Sequence, residues 1–483
     1  MPMLRPMERS DPRDPLGLRA DAPLLDAWLR FTTADVRPFT IPGHKQRTDL
    51  VGAVVAGDVP LHGGLDTVRL TGGLLADAEG RAAALWGADS CRFSVGGSTH
   101  GNQALALAVA EPGAPVVVSR TLHRSMLLGL VLAGLEPVWV RPDLDADSGL
   151  PRGVPAAAVA EALAAHPDAR AVLVGDPSYV GGCGDVRTLA DAAHAAGVPL
   201  VVDAAWGAHL GFSPALPPHA LAAGADALVT SAHKMLPAYS QAALVLANHD
   251  RLDRDRLDRA FEATHTTSPA GALLASTDAA RALLAREGAT RLDRLVALVA
   301  AARERLAGRA GLRVLDGDWV DPTRLVVQPH EAGVRGYDVE EALVARGMPV
   351  EMADLDTVVP VLTLADDAES VTALVDAVLA ALEEVPAGAP RRPAPGAAWS
   401  VQPETVLTPR EAFFARHETV DAAAAVGRVS AELVAPYPPG VPVLAPGERV
   451  TREALDALAE AAGHGARIAY AADSSLATLQ VVA

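Results

Sequence analysis

Cysteine is almost absent: only Cys91 and Cys183 occur in 483 residues. That excludes a disulfide framework and any cysteine-rich zinc or iron–sulfur centre. Long apolar runs are missing too. The longest, Met126 to Leu135, falls well short of the ~18 residues a membrane span needs. The N-terminus, MPMLRPMERSDPRDPLGLRADAPLL, alternates charge with proline and has no apolar stretch of the kind that directs export. The sequence therefore predicts a cytoplasmic protein that is not embedded in a membrane. Positive charge is in deficit, with 41 Lys+Arg against 59 Asp+Glu and a formal charge of −18. Such a chain repels nucleic acid and anionic membranes unless a basic patch intervenes, and none is seen. No internal repeat is visible, and neither G-x-x-x-x-G-K-[ST] nor a post-strand G-x-G-x-x-G occurs, which removes the common nucleotide cradles.

Lysine is the scarcest basic residue. Only Lys45 and Lys234 occur, against 39 arginines (41 minus 2), and each follows a histidine, in Pro42-Gly43-His44-Lys45 and Ser231-Ala232-His233-Lys234. A composition that replaces lysine by arginine keeps it where guanidinium cannot serve. One such place is a Schiff base, which needs an amine able to lose its proton.

From about residue 85 to 245, short β-branched runs (116–118, 138–140, 172–174, 200–202, 228–229, 242–246) alternate with helical patterns such as 154–165 and 186–196. This is the signature of βαβ units and a largely parallel sheet covered on both faces. After Pro269 come a long helical stretch over 270–307, a strand over 324–328, a helix over 339–346 and another over 369–384. The expected organisation is an N-terminal arm (1–35), a large α/β domain (36–270), a smaller α/β domain (271–385), a proline-rich linker (386–396) and a C-terminal domain (397–483).

Three features carry chemistry. Gly96-Gly97-Ser98-Thr99 precedes a helical run, so free N–H groups and two hydroxyls can face one anion, although an ordinary helix cap reads the same way. Asp203 ends the strand Leu200-Val201-Val202 at the carboxyl edge where ligands of open α/β sheets collect, and Lys234 follows the next strand. Taken singly, Asp203 is an N-cap or salt-bridge partner and Lys234 a surface lysine. Together with the cradle they supply what pyridoxal phosphate requires: an amine for its aldehyde, an acid for its ring nitrogen and donors for its phosphate.

Several motifs then carry a resemblance. Pro42-Gly43-His44-Lys45, Gly96-Gly97-Ser98-Thr99, Asp176-Pro177-Ser178-Tyr179, the 202–209 run VDAAWGAH, Ser231-Ala232-His233-Lys234 and Thr266-Thr267-Ser268-Pro269 occur in the order found in the bacterial ornithine/lysine/arginine decarboxylases. Arg428-Val429-Ser430-Ala431-Glu432 and Pro436-Tyr437-Pro438-Pro439-Gly440 resemble that family's C-terminal domain. The resemblance implies an α/β fold of the aspartate-aminotransferase type, with a mainly parallel large-domain sheet, a smaller α/β domain and a C-terminal decarboxylase-type domain. It implies a pyridoxal-phosphate enzyme of polyamine biosynthesis that releases CO2 from arginine, lysine or ornithine. The implied catalytic residues are Lys234 as Schiff-base lysine, Asp203 at the ring nitrogen, His123 stacked on the ring and His233. Ser98, Thr99, Ser231 and His233 match phosphate-binding positions, with Ala205 and Trp206 beside the ring. Thr267 and Ser268 resemble a segment reaching the neighbour's cofactor, which implies a homodimer with shared sites, or a dimer of dimers. For the substrate, Glu432, His44 and Lys45 are the expected contacts; no metal is expected. The chain departs from the family pattern at Gln46-Arg47, at Gly64–Arg69 and at Met235. Another enzyme of the same fold, such as an aminotransferase or biosynthetic lyase, would use the same Lys234 and Asp203, and a non-catalytic relative is a third reading.

Overall fold

The strands Ser90–Ser94 (β1), Pro115–Ser119 (β2), Glu136–Val140 (β3), Val172–Gly175 (β4), Leu200–Asp203 (β5), Ala227–Ser231 (β6) and Ala243–Ala247 (β7) form one sheet in the order β1-β7-β6-β5-β4-β2-β3. The computed structural model describes residues 11–34, 38–59, 73–393, 396–437 and 440–483; the 64–69 departure and Pro438-Pro439 lie outside them. Six of the seven strands fall on the β-branched runs, while β1 (Ser-Cys-Arg-Phe-Ser) has no β-branched residue to signal it. Successive strand residues enter opposite cores: Val117, Val172, Val174, Leu200 and Val202 pack on one face, Val116, Val118, Leu173 and Val201 on the other. Burial on both faces is why these strands read as continuous apolar runs.

Strand direction decides where the motifs meet. β3, β2, β4, β5 and β6 are mutually parallel, and β7 is antiparallel to both β6 and β1. β1 therefore points the same way as β6. The segments after β1, β2, β4, β5 and β6, which carry Ser98, His123, Tyr179, Asp203 and Lys234, all leave the sheet at one edge.

A second antiparallel sheet comprises Arg313–Val314 (β8), Val327–Gln328 (β9), Met352–Ala353 (β10) and Val358–Val359 (β11), in the order β10-β11-β9-β8. The expected strand over 324–328 contracts to β9; the Arg324 backbone N–H donates instead to the Asp321 carbonyl at 2.9 Å, and its carbonyl accepts from Arg303 at 2.6 Å. The helix Gly271–Ala307 joins the two units: Leu274, Leu284 and Leu292 lie in the large-sheet core, and Leu295, Val299 and Leu306 in the small one. The N-terminal segment is no loose arm from residue 11 onward. Its helix Pro23–Thr33 buries Leu24, Leu25 and Leu29, and Leu24 N–H donates to Asp278 Oδ2 at 2.9 Å on the long helix. The C-terminal region pairs His417–Asp421 with Thr478–Val482 around its own core. It is fastened to the large unit by a buried pair in which Arg120 donates to both carboxylate oxygens of Glu448 (2.5 and 2.9 Å). Among the described residues no helix is long and apolar enough to cross a membrane.

Candidate active site

Lys234 lies in a single helical turn, Ala232–Met235, directly after β6. Its ammonium nitrogen sits 4.3 Å from the centre of the Trp206 indole, on the segment after β5. Burial pushes the Lys234 pKa below the ordinary lysine range, opposed by the negative charges of Asp203 and Glu351 and assisted by Arg324. A neutral amine is the nucleophilic form. His233 Nδ1 is 3.0 Å from the Ala242 carbonyl, a contact that needs the proton on Nδ1 and leaves Nε2 as the ring's other nitrogen.

Asp203, at the end of β5, is buried and receives two bonds. Asn102 Nδ2 donates to Oδ2 at 2.7 Å, and Ala205 N–H donates to Oδ1 at 3.2 Å. The same Asn102 amide donates to Ser125 Oγ at 2.8 Å, and Ser125 Oγ lies 2.8 Å from His123 Nδ1. A chain of polar contacts thus runs His123–Ser125–Asn102–Asp203 across three elements. It fixes the rotamer of the acid and the tilt of the imidazole together. Desolvation holds His123 below the ordinary histidine range, with Asp203 opposing and Lys234 and Arg124 reinforcing. Asn102 lies one turn after Ser98 on the helix Gly97–Val109, a spacing that places both on one face. That helix is pressed hard onto the sheet, since a Cβ on Gly101 would come within 2.5 Å of Val229 and 2.8 Å of Val245.

The anion cradle has the features its role demands. The helix Gly97–Val109 has no side-chain cap; Gly97 N–H donates to the Gln241 carbonyl at 2.9 Å, which leaves the next amides, of Ser98 and Thr99, for an outside acceptor. Ser231, fully buried at the end of β6, has a hydroxyl without a hydrogen-bond partner among the described residues. An unpaired buried hydroxyl costs free energy, and an anion bound there relieves it. The donor set, the acid and the amine fit pyridoxal phosphate: Ser98, Thr99 and Ser231 for its phosphate, Asp203 for its ring nitrogen, Lys234 for its aldehyde. Ala205 and Trp206 follow Asp203 on the same segment, both buried. Thr267 and Ser268 are exposed on a loop between helices.

Three expected substrate contacts are used elsewhere. Glu432 does not face the site: its carboxylate accepts from the backbone N–H groups of Ala472 (2.6 Å) and Gln480 (2.7 Å), stitching the C-terminal region to itself. His44 Nε2 lies 3.2 Å from Asp58, and Lys45 donates to the Thr40 carbonyl, so both bond within their own segment. Besides Asp203, the acid whose charge bears on Lys234 is Glu351, immediately before β10. It accepts from Tyr179 Oη at 2.7 Å, and the Tyr179 ring packs edge-on against Trp206 with centroids 5.2 Å apart. Burial, then Glu351, pushes the Tyr179 phenol above the ordinary tyrosine range, so it stays a donor. A cavity of about 650 Å³ begins at Tyr179, Ser178 and Met352 and runs between the small sheet and the C-terminal region. Among the described residues no group of three or more histidine, cysteine or acidic side chains is placed to hold a metal.

Residues 22–332 match the family described as Orn/Lys/Arg decarboxylase, major domain, and residues 395–462 its C-terminal domain. The chain is 32% identical over 484 residues to an arginine decarboxylase of Halalkalibacterium halodurans, covering 97% of this chain and 99% of that one. It is 29% identical over 479 residues to the arginine decarboxylase of Bacillus subtilis, with coverage of 96% and 98%. Lysine decarboxylase A of Pseudomonas aeruginosa shares the fold, with a TM-score of 0.79 at 22% identity over 97% of this chain and 81% of that one.

Proposed function

The chain belongs to the Orn/Lys/Arg decarboxylase family, and from that premise we propose that it binds pyridoxal phosphate at Lys234 and removes the α-carboxylate of arginine as CO2. The observation that carries the chemistry is the convergence of Lys234, Asp203 and the uncapped helix with Ser231 at one sheet edge. When bound, the cofactor supplies an electron sink for the carbanion that CO2 leaves behind. Asp203, braced by Asn102 and Ala205, keeps a proton on the ring nitrogen, without which the sink is weak. The His123 imidazole, held by Ser125, orients the ring. Lys234 would anchor the aldehyde covalently, and Lys234 or His233, once it has taken up a proton, would deliver it to the substrate Cα.

For the substrate's cationic end, Glu351 replaces Glu432 as the partner. It is exposed, its carboxylate hydrogen-bonded among the described residues by Tyr179 alone, and close enough to bias Lys234. A carboxylate accepts a guanidinium bidentately, which favours arginine, and two relatives of about 30% identity over nearly the whole chain are named arginine decarboxylases. The test is incubation of the purified holoenzyme with arginine, lysine and ornithine, reading CO2 and amine by mass spectrometry. Agmatine from arginine is expected; a keto acid from any of the three would make the protein an aminotransferase.

A second copy of the chain completes the site. Supporting this are the exposed Thr267 and Ser268 and the exposed apolar side chains Phe39 (95%) and Val54 (85%) on the 38–59 segment, large surfaces for a monomer to leave in water. Cofactor binding and dimerisation are then linked, each strengthening the other. Sedimentation of apo and holo forms across a dilution series, for wild type and for Thr267→Ala combined with Ser268→Ala, checks it. A monomeric holoenzyme with full activity would overturn the shared site.

A further inference from the structure

The segment 319–324 of the small unit is threaded into the wall of the site. Asp321 N–H donates to the Gly181 carbonyl at 2.8 Å, and Cys183 N–H donates to the Trp319 carbonyl at 2.7 Å. From this anchorage two side chains reach the segment after β5 that carries Asp203 and Trp206. Asp321 and His209 are both fully buried, with Asp321 Oδ2 3.0 Å from His209 Nε2. Thr323 Oγ1 donates to Asp321 Oδ1 at 2.8 Å and lies 3.0 Å from the same imidazole nitrogen. Arg324, 1% exposed, lays its guanidinium 4.7 Å from the centre of the Trp206 indole, the ring that also faces the Lys234 ammonium.

Arg324 is conspicuous for how little it bonds. Its one side-chain hydrogen-bond contact is 3.9 Å to Met235 Sδ, and its Nε has no partner among the described residues. Its stem is nonetheless locked. A Cβ on Gly181, whose φ is +86°, would stand 2.5 Å from Arg324 Cγ and 2.7 Å from its Cβ. Burying a guanidinium is expensive, and an apolar side chain filling the same space is generally as stabilising or more so. Packing therefore does not account for the charge, whereas a neighbouring amine that has to lose its proton does.

We propose that Arg324 is a positioning residue whose fixed charge, held on Trp206 by the Gly181 wall, keeps the Lys234 amine proton-free for attachment to the cofactor aldehyde. The inference rests on the reading of Lys234 as the anchoring lysine. In that attachment the Lys234 nitrogen lone pair forms a bond to the aldehyde carbon, and the carbonyl oxygen leaves as water. Nothing is oxidised or reduced. An ammonium has no lone pair to give, so the protonation of Lys234 gates the step. The charges that bear on it are Asp203 at the end of β5, Glu351 before β10 and Arg324; the titratable groups nearby are His123 after β2, His233 next in sequence, and Tyr179 after β4, which bonds Glu351. Asp203 and Glu351 favour the proton, while burial and Arg324 oppose it.

The test is reconstitution of cofactor-free protein with pyridoxal phosphate across a pH series, reading the rate of covalent attachment by absorbance and mapping the site by borohydride trapping. Arg324→Met, uncharged but of similar length, is expected to move the pH of half-maximal rate upward by about one unit, a tenfold loss on the rising limb. Arg324→Lys keeps the charge and should stay near the wild-type midpoint while losing thermal stability, because an ammonium does not stack on an indole as a planar guanidinium does. If Arg324→Met does not fold, Arg324→Gln takes its place and must shift the same way. A label on Lys234 with an unmoved midpoint overturns the role of Arg324, as does a Lys variant that shifts as far as Met. A label away from Lys234 in wild type overturns instead the reading on which the inference rests.

Discussion

The chain holds two His-Lys pairs, and the fold treats them in opposite ways. His233-Lys234 sits in a helical turn at the end of a central strand, over a buried indole, among groups drawn from three other segments. His44-Lys45 sits on the 38–59 segment, where Lys45 and Gln46 adopt left-handed φ values of 53° and 61° and both side chains of the pair bond locally. The difference teaches that the dipeptide carries no chemistry of its own. What makes an amine reactive is removal from water beside a fixed set of charges.

The largest effect separates the lysines outright. Lys234→Ala should lower CO2 release on the order of 10⁴-fold or more, since the group that anchors the cofactor is lost. Lys45→Ala should keep it within roughly tenfold, its partly buried contact lying within its own segment. Borohydride labelling of holoenzyme should mark Lys234; a label on Lys45, or comparable losses from both variants, would erase the contrast. Next, Asp203→Asn leaves the lysine and the cradle in place but removes the charge that holds the ring-nitrogen proton. Turnover should fall on the order of 100-fold while spectra still report attached cofactor. Smaller again, Glu351→Gln should raise KM for arginine roughly tenfold, about 1.4 kcal/mol, with kcat changed less. An unchanged KM would hand substrate recognition to another residue.

The smallest effect is in stability. Because the folded protein holds the Lys234 pKa below the unfolded value, folding releases a proton, and the associated penalty fades as pH rises from the folded pKa toward the ordinary lysine range. The advantage of cofactor-free Lys234→Met over wild type should therefore be greatest near neutral pH and shrink in alkaline buffer. Denaturant unfolding at several pH values measures it. An advantage that grows with pH would mean that Lys234 is charged in the fold.

What was legible in the sequence follows the range of each interaction. The parallel strands announced themselves because both faces are buried, and Asp203, Ser98 and Lys234 because each directly follows a strand in a compact local motif. Asn102 carried a readable sign, one helical turn after Ser98, but its bond to Asp203 spans 101 positions. Glu351 and Arg324 come from the small unit, and nothing local distinguishes them from surface charge. Glu432 drew attention as an acid in a motif, yet backbone amides forty and more positions away claim both its oxygens.

The 37-residue helix Gly271–Ala307 has a mechanical consequence. At 1.5 Å per residue it is a rod of about 55 Å, with one end cemented in each of two cores and no flexible joint between them. Any swing of the small sheet must turn the rod or bend it. The wall that presents Glu351 and Arg324 consequently behaves as the far arm of a lever whose near arm is seated beside Leu24 and the N-terminal helix. Loosening that seat, where residues 254 positions apart in sequence meet, would let the wall drift without touching a residue of the site.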